Sequence, residues 1–393
     1  MAGTISRGIK APIIREGDDI VKIVYDSVIR AMKEDNFQLH DKDIIAVTEA
    51  VVARADGNYC TVDDIAQDVM DKFDGKKHIG VVFPIMSRNR FAICLRGIAR
   101  GASKVTVQFS YPSDEEGNSL ISKEKLLRSG INPNGLEFNE LYFYANFGEP
   151  VHQFTGVNYP KYYREIIESE GAEADIIFSN DPAHMLNHTN NIICCNIHDR
   201  NYTRDIILSI ADARVLTLAD IMDYSTTSGY NAEFGLLGSN KATEEKIKLF
   251  PKNAPLIAYS IQRYFLDHMG IKVEAMVYGD GAFKDPVGKI WELADPIVSP
   301  GFTKGLLGLP NELKLKYLAD NEFKDLSGDE LVEAIRARIK EKDENLKGEM
   351  DSQGTTPRHL SDLIGSLCDL TSGSGDKGTP IVVVQNYFNN YAD

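Results

Sequence analysis

Close to its C-terminus the chain reads Thr371-Ser-Gly-Ser-Gly-Asp-Lys-Gly-Thr-Pro380 and runs straight into Ile381-Val-Val-Val-Gln385. Three glycines, small hydroxyl residues, one acid and one lysine therefore stand directly before an apolar, β-branched run. Glycine lets backbone N–H groups approach a ligand closely and takes positive φ without steric cost. Successive N–H groups in such a loop form an anion-binding concavity. Lys377 adds a positive charge and Asp376 an oxygen for a cation. The chemistry is that of a nucleotide phosphate accompanied by a metal. The stretch also reads as a plain Gly/Ser loop ahead of an edge strand. It is not a Walker-type phosphate loop, because no G-x-x-x-x-G-K-[ST] followed by a helix is present.

Two further clusters have chemical potential. Val273 to Val277 reads as a strand and leads into Tyr278-Gly-Asp-Gly-Ala-Phe-Lys-Asp-Pro286. A strand ending in Gly-Asp-Gly puts the Asp280 carboxylate on permissive backbone at a strand tip, where α/β proteins hold metals and phosphates. The same tripeptide also makes a good turn. Between Lys72 and Lys104, eight Lys or Arg residues stand against a single acid, Asp74. The chain as a whole carries a net charge of −15, so this is a local reversal of sign. It marks either an anion site, with Arg88, Arg90, Arg96 and Arg100 offering planar forks for carboxylate or phosphate, or a solvated helix face. His184 and His188 have the i, i+4 spacing of a metal pair, but no glutamate follows the first, and they read as ordinary polar residues near a turn.

These groups must be positioned by regular elements. Ile20, Ile23, Val24, Val28 and Ala31 recur at helical spacing behind Gly17-Asp-Asp19, which supplies turn and N-cap chemistry. Asp43-Ile-Ile-Ala-Val-Thr48 reads as a buried strand that Val51 and Val52 continue and Ala55-Asp-Gly-Asn58 breaks. Strands are expected at Val105–Phe109, Asp175–Phe178 and Asn191–Asn196, and a helix begins at Tyr159. Thr243 to Lys248 is expected to open a long helical region, and Glu330 to Lys347 reads as a charged surface helix.

With 393 residues the chain has room for two or three domains. Its 43% hydrophobic and 26% charged residues fit a folded protein. Its acidity argues against binding nucleic acid through its overall field. No apolar run approaches the roughly 18–20 residues of a membrane span, and the first residues lack a signal-peptide core. The five cysteines form no C-x-x-C pair, so they are expected to be reduced thiols of a cytoplasmic protein.

Four segments together resemble one family, the coenzyme F-420-0:L-glutamate ligases, which add γ-linked glutamate to a deazaflavin coenzyme precursor. They are Pro12-Ile-Ile-Arg-Glu-Gly-Asp-Asp-Ile20; Asp43 to Gly57; Ser228-Gly-Tyr-Asn-Ala-Glu233 together with Val273 to Asp285; and Gly373-Ser-Gly-Asp-Lys-Gly-Thr-Pro-Ile-Val-Val-Val384. The resemblance covers roughly residues 1–60 and 226–393 and leaves 61–225 as an inserted or divergent segment. It implies an α+β (mixed α/β), two-domain ligase-like fold in an intertwined homodimer. It implies GTP or ATP as cosubstrate with magnesium or manganese; charge and the lack of an apolar span add the expectation of no nucleic-acid or membrane partner. Thr48, Arg54, Gly373, Ser374, Gly375 and Lys377 would bind nucleotide. Asp280 would act as metal ligand and catalytic residue beside Arg54, with Asn231, Glu233 and Asp285 as further metal oxygens. The arginines of the middle segment would hold an anionic acceptor. The chain departs from the family pattern in having Asn231 where the family has aspartate and Arg54 where it has lysine. The carboxylate of Tyr278-Gly-Asp-Gly281 is also displaced by about one place. A catalytically inactive nucleotide- or metabolite-binding protein of the same fold is the alternative, and Asn231 is the residue that favours it.

Overall fold

The computed structural model describes residues 3–153, 155–279, 282–284, 291–293, 299–352, 358–372 and 375–392. The content is mixed α/β, as the alternation of elements implies. The chain divides into two compact units. One comprises residues 1–56 and 253–393, and the other is the continuous stretch 57–252.

The first unit is built on a five-stranded mixed sheet in the order Ile5–Ile9, Ile381–Gln385, Ile44–Thr48, Glu274–Tyr278, Gly301–Phe302. Strand Ile44–Thr48 is antiparallel to Ile381–Gln385 and parallel to Glu274–Tyr278. The interiors of the central strands are apolar because both faces are covered. Ile45, Val47, Val277 and Val383 pack on one face with Val24, Ile261 and Phe265 of the helices Ile20–Glu34 and Ala254–Met269. Ile44, Ala46, Met276 and Val382 pack on the other with Ile364 and Cys368 of the helix Leu360–Ser372. The alternation is the period of two that a strand imposes. Asp19 caps the first helix by accepting from the Lys22 N–H at 3.0 Å, as its sequence position implies.

Two expected elements change type. Val51 and Val52 do not prolong the strand: Glu49–Ala55 is a helix that buries Glu49, Val52 and Ala53 at i, i+3, i+4 spacing. A short apolar run does not discriminate strand from helix, and burial of one helical face decides it here. Residues 243–248 do not begin a helix. Lys246–Lys248 is a strand antiparallel to Tyr59–Thr61, with Ile247 fully buried. The helix proper is Ala254–Met269, with Pro255 in its first turn, where a missing N–H costs nothing. The charged helix Gly328–Lys340 ends before Lys347 and buries Ile335 and Ile339 in a small cluster with Leu313, Leu318 and Leu346.

The second unit, whose fold the sequence left unassigned, is a six-stranded sheet. Its order is Phe138–Asn139, Glu173–Phe178, Lys104–Phe109, His78–Val82, Asn191–Cys194, Arg214–Thr217. All neighbours are parallel except the short edge strand Phe138–Asn139. Taken in chain order, the five parallel strands lie 3-2-1-4-5, the doubly wound arrangement. The helices Val62–Phe73, Phe91–Arg100 and Tyr159–Ser169 cover one face, against Val81, Val107 and Ile193. The helix Arg200–Ile210 and the 3-10 turn Pro182–Asn187 contribute Ile207 and Met185 to the other, against Val82, Ile177 and Cys194. All five cysteines are buried and free. No helix among the described residues is long and apolar enough to cross a membrane.

Candidate functional site

One end of the first unit's sheet gathers the segments that carried the chemistry in the sequence. Thr48 is the last residue of its strand and faces Tyr278, the last residue of the parallel neighbour. The antiparallel strand Ile381–Gln385 begins at the same end, with Ile381 opposite Val47 and opposite Ile9. The glycine-rich loop therefore empties beside Thr48, whose N–H donates to Pro380 O at 3.0 Å. Ala11 N–H donates to Gly378 O at 3.1 Å, and the Thr379 hydroxyl donates to Ser372 O at 2.6 Å. These bonds pin the loop at both flanks. Between them, residues 375–377 form one 3-10 turn, and Asp376 and Lys377 are solvent-exposed. Gly378 follows at φ +66, a conformation that favours glycine, with open space where a Cβ would stand.

Tyr278 belongs to this end and was not singled out from sequence. Its ring is 1% exposed. Its hydroxyl, buried beside the Ser372 and Thr48 side chains, makes no hydrogen bond of good geometry within the protein. Burial pushes the phenol well above its ordinary pKa, so it stays a neutral donor. The signal available in sequence was positional, since a polar-tipped aromatic closes the strand that leads into Gly279. Arg54 lies in the last turn of Glu49–Ala55, exposed, where a cation complements the helix dipole. Asp280, Asp285, Gly373 and Ser374 lie outside the described residues. Among the described residues no three His, Cys, Asp or Glu side chains converge as a metal cage.

The other candidates lie in the second unit. Arg96 Nε and Nη2 each lie 2.6 Å from a carboxylate, of Glu170 and Glu245 respectively. Arg100 binds the same Glu170 at 2.8 Å and Asp63 at 2.7 Å. Lys72 pairs with Asp68 and Asp223, and Lys104 with Glu173. Much of the local charge reversal is thus balanced by acids from distant parts of the chain. Arg88 is exposed in the loop after the first parallel strand, and Arg90 stands at the N-cap of Phe91–Arg100. His184 and His188 serve separate partners, Ser179 at 2.7 Å and Glu137 at 2.9 Å, so they form no metal pair.

A family model described as F420-0:Gamma-glutamyl ligase matches residues 8–386. The chain belongs to that family. The matched span takes in residues 61–225, for which the sequence by itself offered no resemblance. No curated protein matches the chain.

Within this ligase-family chain, Asn231 has a structural part that accounts for it. It is 5% exposed. Its oxygen accepts from Glu233 N–H at 3.0 Å and Phe234 N–H at 2.9 Å, and its amide donates to Pro251 O at 3.0 Å. An amide can accept on one side and donate to a backbone carbonyl on the other, which an ionised carboxylate cannot. Both lone pairs of the oxygen are engaged, so a cation there would have to displace backbone hydrogen bonds. The neighbouring Glu233 is exposed. Asparagine at this position is thus accounted for by its backbone partners.

Proposed function

We propose that the chain is a nucleotide-dependent amide ligase that joins glutamate to the carboxylate of a small anionic acceptor. A carboxylate is a poor electrophile because its leaving group would be an oxide. Transfer of the γ-phosphoryl group of GTP or ATP to the carboxylate releases the nucleoside diphosphate and forms an acyl phosphate. The amine then attacks the acyl carbon, loses its proton and expels inorganic phosphate. Catalysis of such transfers is chiefly positioning and charge stabilisation.

The observation that carries this reading is the convergence of Thr48, Tyr278 and the glycine-rich loop at one end of one sheet, in a chain of a glutamate-ligase family. Lys377 supplies a point charge for the triphosphate, with backbone N–H groups around Gly373, Ser374 and Gly375 lining it. Thr48 and Arg54 bound the nucleotide from the N-terminal side. Tyr278 offers a buried hydroxyl beside the Ser372 and Thr48 side chains. A magnesium or manganese ion, which takes only one or two carboxylates when phosphates supply the other oxygens, would neutralise the triphosphate beside Asp280 and Asp285. Arg88 and Arg90 are the candidates to hold an anionic group. The family resemblance also implies a homodimer, which light scattering on the purified protein decides.

The direct test incubates the protein with the deazaflavin precursor, glutamate and each nucleotide, and reads product mass and phosphate release. Release that requires both carboxylate and amine is the expected result. Nucleotide hydrolysis indifferent to both, or no turnover at all, overturns the reading. In active protein, Lys377→Ala should raise the nucleotide KM by about tenfold or more with a smaller effect on the acceptor KM.

A further inference from the structure

The second unit carries a crevice of about 490 Å³ that the ligase reading does not use. Its walls come from the segments that follow four consecutive parallel strands. Phe83 follows the first, Ser110 to Glu115 the second, Asn180 to Pro182 the third and Asn196 to Asp199 the fourth. The first and fourth strands are His78–Val82 and Asn191–Cys194, neighbours across which the strand order reverses. In open α/β sheets that position, outside the carboxyl ends at the reversal of order, is where ligands bind. The volume lies in the range of small-molecule sites.

The walls are held by the protein's own bonds. Asn180 clamps the Tyr111 backbone, accepting from its N–H at 2.8 Å and donating to its carbonyl at 2.7 Å. Glu115 accepts from the backbone N–H groups of Ile197 and His198, tying the second wall to the fourth. Phe83 has φ +54, a left-handed backbone unusual for a non-glycine residue. Within this frame Asn196 is 4% exposed and lines the crevice. Its amide donates to Thr203 Oγ1 at 3.0 Å, while its carbonyl oxygen has no partner. A buried carbonyl left unpaired is costly unless something donates to it.

The lining chemistry narrows the ligand. It holds four acids, Asp114, Glu115, Asp181 and Asp199, and no Lys or Arg. Arg200 of the adjoining helix turns to Ile197 O, and Arg204 to Asp205. The loop after the first strand, residues 83–90, contains no glycine. Its Met86 and Ser87 N–H groups are taken by the Asp114 carboxylate at 2.7 Å and the Tyr163 hydroxyl at 3.0 Å. The backbone cradle that would receive a pyrophosphate is therefore closed, and the acids repel one. Asp114 and Glu115 are engaged by backbone N–H groups, which leaves Asp181 Oδ2 and the exposed Asp199 to receive hydroxyl and amine donors. Tyr202, 69% exposed at the rim, and Phe83 offer flat apolar faces.

We propose that this crevice is a binding site of its own for a phosphate-free, hydroxyl-rich ring compound of nucleoside size, separate from the nucleotide site of the first unit. The probes are adenosine, guanosine, cytidine and uridine, each against its 5′-monophosphate, titrated calorimetrically into the full-length protein. At least one nucleoside should bind with a Kd below about 1 mM, and its monophosphate about tenfold more weakly or worse. Tyr202→Ala and Asp199→Lys alter exposed side chains, so the fold should persist. Each should weaken the nucleoside by about tenfold. Asp199→Lys should also narrow the gap to the monophosphate, and Lys377→Ala should leave nucleoside binding unchanged. Absence of binding by all four nucleosides, binding of monophosphates equal to that of nucleosides, or loss of nucleoside binding in Lys377→Ala rather than in the crevice variants overturns the proposal. None of these outcomes bears on the ligase assay.

Discussion

Asn231 and Lys377 stand at opposite extremes of what a single side chain does here. Asn231 is buried and bonded on both sides of its amide, so Asn231→Ala should cost about 1–3 kcal/mol in urea unfolding. Asn231→Asp would keep the two acceptor bonds but turn an oxygen toward Pro251 O. It should therefore destabilise without creating metal affinity. A metal-dependent rise in the stability of the aspartate variant would show that the position is a ligand site after all. Lys377 is exposed. Lys377→Ala should change unfolding by no more than about 0.5 kcal/mol, so a loss of nucleotide binding would be a site effect. The sequence singled out Lys377 by its glycine-rich neighbours and Asn231 through the family resemblance. It did not distinguish them, because the Asn231 partners are backbone groups that only the folded chain brings within reach.

At the scale of elements, glycines let the helices Val62–Phe73 and Phe91–Arg100 approach closely. A Cβ placed at Gly97 would stand 2.5 Å from Ile65 Cβ, and one at Gly101 would stand 2.6 Å from Ala66 O. Neither neighbour is the free end of a flexible side chain, so Gly97→Ala should destabilise by about 1–3 kcal/mol, read as a lower urea midpoint. Apolar spacing made several elements legible in the sequence. It did not say which glycines allow two helices to touch.

The loops bearing His198 and Glu116 add a pH-dependent link. The histidine Nε2 lies 3.5 Å from the Glu116 carboxylate. The hydrogen bond between them raises the His198 pKa and lowers that of Glu116. A raised histidine contributes stability fully below its unfolded pKa of about 6.5 and loses it as pH rises through the folded value. The lowered glutamate contributes above its unfolded pKa of about 4.3 and loses it as pH falls through the folded one. His198→Gln should therefore flatten the fall in stability as pH rises above about 6.5. An unchanged profile in a denaturant series would mean that the pair is not coupled to folding.

For the whole molecule, the two units have separate hydrophobic clusters, and the continuous one interrupts the other in sequence. Heat unfolding should depart from a single two-state transition, with a calorimetric enthalpy that exceeds the van't Hoff value. GTP or ATP with magnesium at about 100 times its Kd should stabilise the unit bearing the glycine-rich loop by roughly 2.7 kcal/mol. A nucleoside should shift the other transition. One indivisible transition moved by both ligands would show that the units unfold together.

The sequence alone determined the mixed α/β class, the central strands and the family. Each rests on local information: β-branched runs, glycine loops, cap residues and short motifs. The strand order did not follow from it. Nothing in Lys104–Phe109 or Asn191–Cys194 states that both flank His78–Val82, and the crevice exists only because they do. The basic stretch was misleading for the same reason. Charge counted along a chain omits Glu170 and Glu245, which tertiary structure brings to Arg96 and Arg100. Hydrogen bonds and ion pairs form in space, so which polar groups are already satisfied was decided by the fold.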